Sequence, residues 1–319
     1  MTQAERGLRE SSFTSKNGKK IFCRYWCEDL NKPRALVFIS HGAAEHCLYY
    51  SPLALQLKNA GCYVFAHDHV GHGQSEGDRV HVNDIHEYVD DVFYHLDMVS
   101  ERFPDIPKFI IGHSMGGAIA IIALIERPDF VNGMVLISPA VTTDPGTISP
   151  LKIFFGKIVA KILPQTPVLH LDTSNLSRDK AVMFLAYQIA RLVPQMALAW
   201  MDPWFITRNT ILVQKYLDDP LVYHGGLKAR WGASFLKWLQ WIESNMSRIV
   251  CPLLVMHGTA DRLTTPEGSK KLAKYAESKD KTLKIYEGYY HQLHYEPEED
   301  GAGVRREIIE WISARCKAA

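Results

Sequence analysis

The chain has 319 residues, 47% of them hydrophobic and 22% charged, with a formal net charge of +1. This balance gives no sign of nucleic-acid binding or of an electrostatic membrane anchor, so no nucleic-acid partner is expected. No uninterrupted apolar span of about 18 residues occurs, so no transmembrane helix is expected, and the length suits one large α/β domain with room for a lid or a small second domain.

The first ten residues are polar and contain no apolar core of signal-peptide length. The six cysteines, Cys23, Cys27, Cys47, Cys62, Cys251 and Cys316, are scattered and have no zinc-site spacing. Reduced thiols in a cytoplasmic protein are the simplest reading. In that setting the Asn-x-Ser sequons at Asn175 and Asn245 carry no weight.

In chain order, residues 21–26 read as a short strand. Residues 35–40 form a continuous apolar run typical of a strand covered on both faces, ending in His41-Gly42-Ala43-Ala44-Glu45-His46. Leu53, Leu57 and Ala60 fall at helical spacing within 52–60, with Gly61 to close the helix. A strand at 62–66 leads into His67-Asp68-His69-Val70-Gly71-His72-Gly73-Gln74-Ser75. A helix over 85–103 follows, with acidic residues near its start and Arg102 near its end. The apolar run Phe109-Ile110-Ile111, the turn Gly112-His113-Ser114-Met115-Gly116, a run of helix formers over 118–126 and a strand at 133–137 come next. Alternating strands and helices imply a mostly parallel central sheet flanked by helices, joined by right-handed crossovers.

From about 141 to 248 the strand signal disappears. Helix-compatible segments stand at 152–163, 179–193, 196–204 and 233–244, with breaks at Leu163-Pro164 and Val193-Pro194. The sheet resumes at 252–258 and 283–286, and a helix over 304–317 closes the chain. The expected organisation is one structural domain: core residues 1–140, a helical cap at 141–248, and the rest of the core at 249–319.

Gly112-His113-Ser114-Met115-Gly116 is G-x-S-x-G between a strand and a helix, the context a nucleophile elbow needs. Elsewhere the same letters spell only a Gly/Ser loop. A serine hydroxyl requires a base to take its proton, and the base requires an acid to fix its tautomer. In this setting the order is Ser, acid, His. Asp261, just past the 252–258 strand, is the best acid, with a turn-forming role as its plain alternative; Asp218 and Asp219 lie inside the presumed cap. His291, after the last strand, is the best base, and His294 is the competitor that could instead line the pocket. The residue after the nucleophile gives one oxyanion donor, the Met115 N–H, and the loop after an early strand gives the second, assigned to Ala43.

Two patterns are decoys. His67 to His72 has the histidine spacing of a dinuclear metallohydrolase, but Gly71 stands where the second-metal aspartate belongs, so no metal is expected. His86 and Asp91 spell an acyltransferase-like H-x-x-x-x-D, but inside a helix these side chains do not converge.

These stretches together resemble the monoacylglycerol (monoglyceride) lipase family of α/β-hydrolase serine hydrolases. The resemblance runs through Phe22-Cys23-Arg24-Tyr25-Trp26, Ser40-His41-Gly42-Ala43, the long and specific Phe65 to Gly77, Gly112 to Ile121, Ala260-Asp261-Arg262-Leu263, and Lys281 to Tyr286. It implies the α/β-hydrolase fold, the triad Ser114, Asp261 and His291, and oxyanion donors Ala43 and Met115. It also implies Glu45, Tyr216 and His294 near the glycerol end of the pocket, and no cofactor. The implied reaction splits the single ester of a monoacylglycerol, 2-arachidonoylglycerol included, into fatty acid and glycerol. The implied setting is a cytoplasmic enzyme with peripheral, transient membrane contact through the cap, and a homodimer is compatible with it.

The chain also departs from the family. Ala44 stands where glycine is usual, Tyr49 where an arginine is expected near the glycerol end, and Tyr223, Arg230 and Thr264 where cysteines are familiar. About thirty residues near 179–208 look extra against usual loop lengths. They include Phe184, Leu185, Trp200, Trp204 and Phe205, and read as additional buried cap helix, with a membrane-facing lid as the alternative. Competing functions are a lysophospholipase or broad acyl (thio)esterase, and a non-catalytic lipid-binding relative. The first would want basic residues at the pocket mouth, and the second usually lacks a triad member.

Overall fold

The computed structural model describes residues 8–27, 30–142, 191–192, 194–195, 197–199 and 201–316. Its strands are β1 (Arg9–Thr14), β2 (Lys20–Tyr25), β3 (Ala35–Ser40), β4 (Cys62–His67), β5 (Lys108–His113), β6 (Gly133–Ile137), β7 (Ala197–Ala199), β8 (Leu227–Lys228), β9 (Leu253–Gly258) and β10 (Lys281–Tyr286). Eight of them make one sheet in the order β1-β2-β4-β3-β5-β6-β9-β10. The β1–β2 and β2–β4 pairs are antiparallel, and every pair from β4 to β10 is parallel. Every residue of β3, β4, β6 and β9 is buried. Their unbroken apolar runs are what a parallel sheet covered on both faces demands.

The helices are α1 (Ser51–Asn59), α2 (His86–Arg102), α3 (Met115–Glu126), α4 (Thr210–Asp218), α5 (Ala229–Asn245), α6 (Pro266–Tyr275) and α7 (Glu298–Ser313). All residues of α3 from Met115 to Ile125 are buried, as expected of a helix that is apolar on every side. Strand order reverses around β3: the chain moves to β4 on one side and then to β5 on the other. The carboxyl ends of β3 and β5 therefore bound the crevice where open α/β sheets place their sites.

The cap region is less uniformly helical than its composition suggests. Helices α4 and α5 are present, but the segment 196–204 is not a helix. Ala197–Ala199 pairs antiparallel with β8, and Pro203–Phe205 is a short 3-10 turn capped by the Asp202 side chain on the Trp204 N–H. Pro203 biases the residue before it toward extended backbone, and the β8 edge supplies partners that a helix would forgo. The segment 152–163 and nearly all of 179–193 lie outside the described residues. The described cap grips both ends of the crevice. The Tyr223 N–H donates to the Ala44 carbonyl (2.9 Å), the Gln292 N–H to the Ile206 carbonyl (2.6 Å), and the Thr207 hydroxyl to the Tyr295 carbonyl (2.9 Å).

Candidate active site

Ser114 occupies the single residue between β5 and α3, with φ 53° and ψ −117°. A non-glycine residue there stores about 1–3 kcal/mol of strain, which persists only where the surroundings over-determine it. Here they do. The Ser114 N–H donates to the Ile137 carbonyl (3.1 Å), and its own carbonyl accepts from Gly117 (3.0 Å), Ala118 (3.2 Å) and Ala140 (3.1 Å). The flanking glycines are dictated by contact: a Cβ on Gly116 would lie 2.1 Å from the Ser40 carbonyl oxygen, and one on Gly112 would lie 2.6 Å from the Gly116 oxygen. The serine is thus pushed out of the sheet at the head of a buried helix, partly exposed in a buried neighbourhood.

The other half of the site comes from the loops after β9 and β10. His291 Nδ1 donates to Asp261 Oδ2 at 2.7 Å, leaving Nε2 as the free face of the imidazole. Asp261 is held in turn. Its Oδ1 accepts from the Leu263 (2.8 Å) and Thr264 (3.0 Å) N–H groups. Its Oδ2 lies 2.9 Å from the Thr264 hydroxyl and 3.1 Å from His257 Nε2. Burial alone would raise this carboxyl. The neighbouring His291, with hydrogen bonds from His257 and His291, overrides that and keeps it ionised far below the usual carboxylate range. Burial pushes His291 below the ordinary imidazole value, with Asp261 pulling the other way. The imidazole is therefore neutral and basic at neutral pH. The His113 ring, next to Ser114 in the chain, packs 4.7 Å from the His291 ring, which brings the two halves together.

The Ala43 N–H comes from the loop after β3 and the Met115 N–H from the first residue of α3, and neither donates to an acceptor among the described residues. Glu45 is buried. Its Oε2 accepts from the Gly42 N–H (3.1 Å) and the Tyr50 hydroxyl (2.7 Å), and its Oε1 from Gln292 Nε2 (2.6 Å). Burial opposes ionisation of Glu45, but His113 and the hydrogen bonds hold its pKa well below the usual range. The Tyr49 hydroxyl donates to Gln292 Oε1 (3.3 Å), and its ring meets that of Tyr216 at 6.0 Å. Tyr216 is buried with Ile206, Val213 and Val222. His294 stacks on Tyr50 at 5.2 Å, and neither of its ring nitrogens has a partner among the described residues.

The weaker candidates fall elsewhere. Asp219 pairs with His46 (2.9 Å), and Asp218 sits near the end of α4 against Gln214. Within the His67 to His72 stretch, Asp68 accepts from the Cys47 and Gln74 N–H groups (both 2.7 Å), which staples the loop. The His67 and His69 rings bond to each other, to His95 and to Ser40. His86 pairs with Glu126 on one side of α2 while Asp91 is buried on another, so the H-x-x-x-x-D pair does not converge. The sequence did not single out His257 or Gln292, which lack any motif and are recognised only once β9 and β10 lie side by side. Thr264 stood out only as a substitution.

A family model described as serine aminopeptidase, S33, matches residues 31–188 and 180–298. The two matches meet within the 179–208 stretch. The chain is 42% identical over 303 residues to a monoglyceride lipase from Mus musculus, covering 95% of this chain and 90% of that one. Among solved structures, a monoacylglycerol lipase from Paleococcus ferrophilus superposes with a TM-score of 0.72 at 28% identity, covering 97% of this chain and 99% of that one. A soluble variant of the monoglyceride lipase from Saccharomyces cerevisiae, bound to a substrate analog, gives a TM-score of 0.76 at 20% identity, covering 100% and 97% of the two chains.

Proposed function

Because the chain belongs to the monoglyceride lipase family of α/β-hydrolases, we propose that it is a serine hydrolase that splits monoacylglycerols into fatty acid and glycerol through an acyl-enzyme on Ser114. The observation that carries the assignment of roles is the 2.7 Å bond from His291 Nδ1 to Asp261, set against the elbow that presents Ser114. Ser114 Oγ attacks the ester carbonyl as His291 Nε2 takes its proton. The N–H groups of Ala43 and Met115 receive the negative charge that develops on the carbonyl oxygen. Collapse of the tetrahedral adduct expels glycerol, protonated by His291. A water, deprotonated by the same nitrogen, then attacks the acyl-enzyme and frees the fatty acid. Asp261 stays ionised throughout and steadies the imidazolium. No cofactor enters these steps.

Glu45, Tyr216 and His294 are the proposed glycerol-side residues. His294 offers its unpartnered nitrogens to hydroxyl groups. Glu45 acts through the Gly42 and Gln292 contacts it already makes. Tyr49, aromatic and tied to Gln292, provides no charge for a phosphate head group, which favours glycerol over a lysophospholipid.

The decisive assay is glycerol release from a long-chain monoacylglycerol by wild type and Ser114→Ala, run beside a lysophospholipid. Release by wild type alone, weak on the lysophospholipid, is the expected result; faster turnover of the lysophospholipid would move the substrate class to phospholipids.

Peripheral, transient membrane contact through the cap belongs to the same proposal. Trp204 is 54% exposed, and Ile211 70%, on the described part of the cap, and these are the apolar side chains that such contact would use. No helix among the described residues is long and apolar enough to cross a membrane. A cytoplasmic enzyme visiting an endocannabinoid-bearing bilayer fits this surface. Failure to co-sediment with neutral liposomes while soluble esters are still cleaved would remove the membrane step, and light scattering tests for a homodimer.

A further inference from the structure

His41 is fully buried at the end of β3, immediately before the loop that carries the Ala43 N–H. Its Nε2 accepts a hydrogen bond from the His69 backbone N–H at 2.9 Å. An imidazole nitrogen that accepts carries no proton, so the ring's one proton must sit on Nδ1. Nδ1 lies 2.8 Å from the Gly42 carbonyl oxygen, which can only accept. The tautomer is therefore set by geometry: His69 fixes it from one side and Gly42 uses it on the other.

The Gly42 carbonyl and the Ala43 N–H belong to the same peptide unit. A trans peptide is planar, with its C=O and N–H pointing in opposite directions, and there are no cis peptides among the described residues. Whatever holds the Gly42 oxygen thereby aims the Ala43 hydrogen. Glu45 cannot do this. Its bond goes to the Gly42 N–H, which belongs to the preceding peptide. Gly42 alone would let the unit rotate, since glycine has the widest backbone freedom. A side chain could not take its place, because a Cβ there would lie 2.9 Å from the Glu45 carboxylate and 3.0 Å from His113.

We infer that His41 is a positioning residue for the oxyanion hole: its Nδ1–H clamps the Gly42 carbonyl so that the Ala43 N–H faces the developing oxyanion. The inference rests on the proposed ester hydrolysis at Ser114. It also gives a role to the stretch after β4 that resembles a metal motif, because the His69 amide selects the His41 tautomer. Burial, with the nearby His72, holds His41 far below the ordinary imidazole range, so the clamp stays neutral.

Two substitutions separate the two hydrogen bonds. In His41→Asn the side-chain amide nitrogen falls near the position of Nδ1 and keeps the donor to Gly42. In His41→Gln the terminal amide reaches the Nε2 position and keeps only the partner of His69. A clamp on a transition-state donor acts on kcat with little change in KM. We expect His41→Gln to lower kcat for a monoacylglycerol by about 30- to 300-fold with KM within about twofold, and His41→Asn to recover most of that loss. A transition-state analogue such as a trifluoromethyl ketone should lose affinity in parallel with kcat. Both variants are checked for cooperative melting.

A folded His41→Gln enzyme with wild-type kcat overturns the inference, as does an equal loss in two folded variants. Should either variant fail to fold, nitrogen NMR of wild type decides: a proton on Nδ1 with unprotonated Nε2 supports the clamp, and any other state of His41 refutes it. Wild type without esterase activity would instead sink the functional reading itself, with Ser114→Ala as the reference for background.

Discussion

The two sides of the crevice are built by different means. On the nucleophile side, the loops after β3 and β5 work through backbone: the strained Ser114, two amides, and glycines whose missing side chains let Ser40 and α3 meet. On the acid–base side, the loops after β9 and β10 work through side chains, with the Asp261 carboxylate receiving five nearby groups, one of them the His291 imidazole that it orients. The first is an arrangement of shape and should fail abruptly. The second is an arrangement of charge and should lose activity with the fold intact.

The largest effect is expected from Asp261→Asn. The amide can present its N–H₂ to His291 and stabilise the wrong tautomer, so kcat should fall by about 10⁴-fold while the melting curve barely moves. A near-normal rate would show that another acid orients the base. Next comes Gly116→Ala. Its Cβ would meet the Ser40 backbone, which cannot step aside as a flexible side chain could. A loss of about 3 kcal/mol or more in chemical denaturation, together with loss of activity, is expected. A stable, active Gly116→Ala would contradict the view that this side is governed by shape.

A smaller effect is read from pH. His291 acts unprotonated, and burial lowers its pKa against the pull of Asp261. A lower pKa keeps the base free at lower pH, so the acid limb of kcat/KM should fall below the ordinary value of 6.5. A limb above that value would mean that Asp261 outweighs burial. Smallest of all is Ala44→Gly. Ala44 has φ 64°, a left-handed conformation that costs about 1–2 kcal/mol for alanine, part of which is offset by the freer unfolded chain of glycine. A net gain of about 0.5–1 kcal/mol in stability, with little change in kcat, is expected. A loss would show that the Tyr223 bond to the Ala44 carbonyl depends on the methyl group.

The same division governs what could be read from the chain. Strands β3, β4, β5, β6 and β9 announce themselves as apolar runs because both faces are covered, and G-x-S-x-G and the Asp261 and His291 loops follow from their positions after those strands. β1 did not, since Arg9-Glu10-Ser11-Ser12-Phe13-Thr14 is an edge with only Phe13 buried. α6 did not either, because it is mostly polar and buries only Gly268, Ser269 and Leu272. The 196–204 segment carries helix formers, but Pro203 and the β8 edge outweigh propensity. The contacts of His257, Gln292 and His41 with the site are long-range or depend on tautomer, and no local pattern encodes either.

One consequence lies in the connection from β6 to β9. These strands are neighbours, with Met134 opposite Leu253 and Ile137 opposite Met256. The register of the sheet thus stays the same whatever length of chain departs at Ser138 and returns at Pro252. For a flexible connection of this size, thirty added residues would cost only roughly 0.3 kcal/mol of closure entropy. The architecture therefore tolerates experiment in evolution at the substrate's doorway while the chemistry below it is inherited unchanged. Cap exchange between relatives, joined at these two points, is the engineering form of the same freedom.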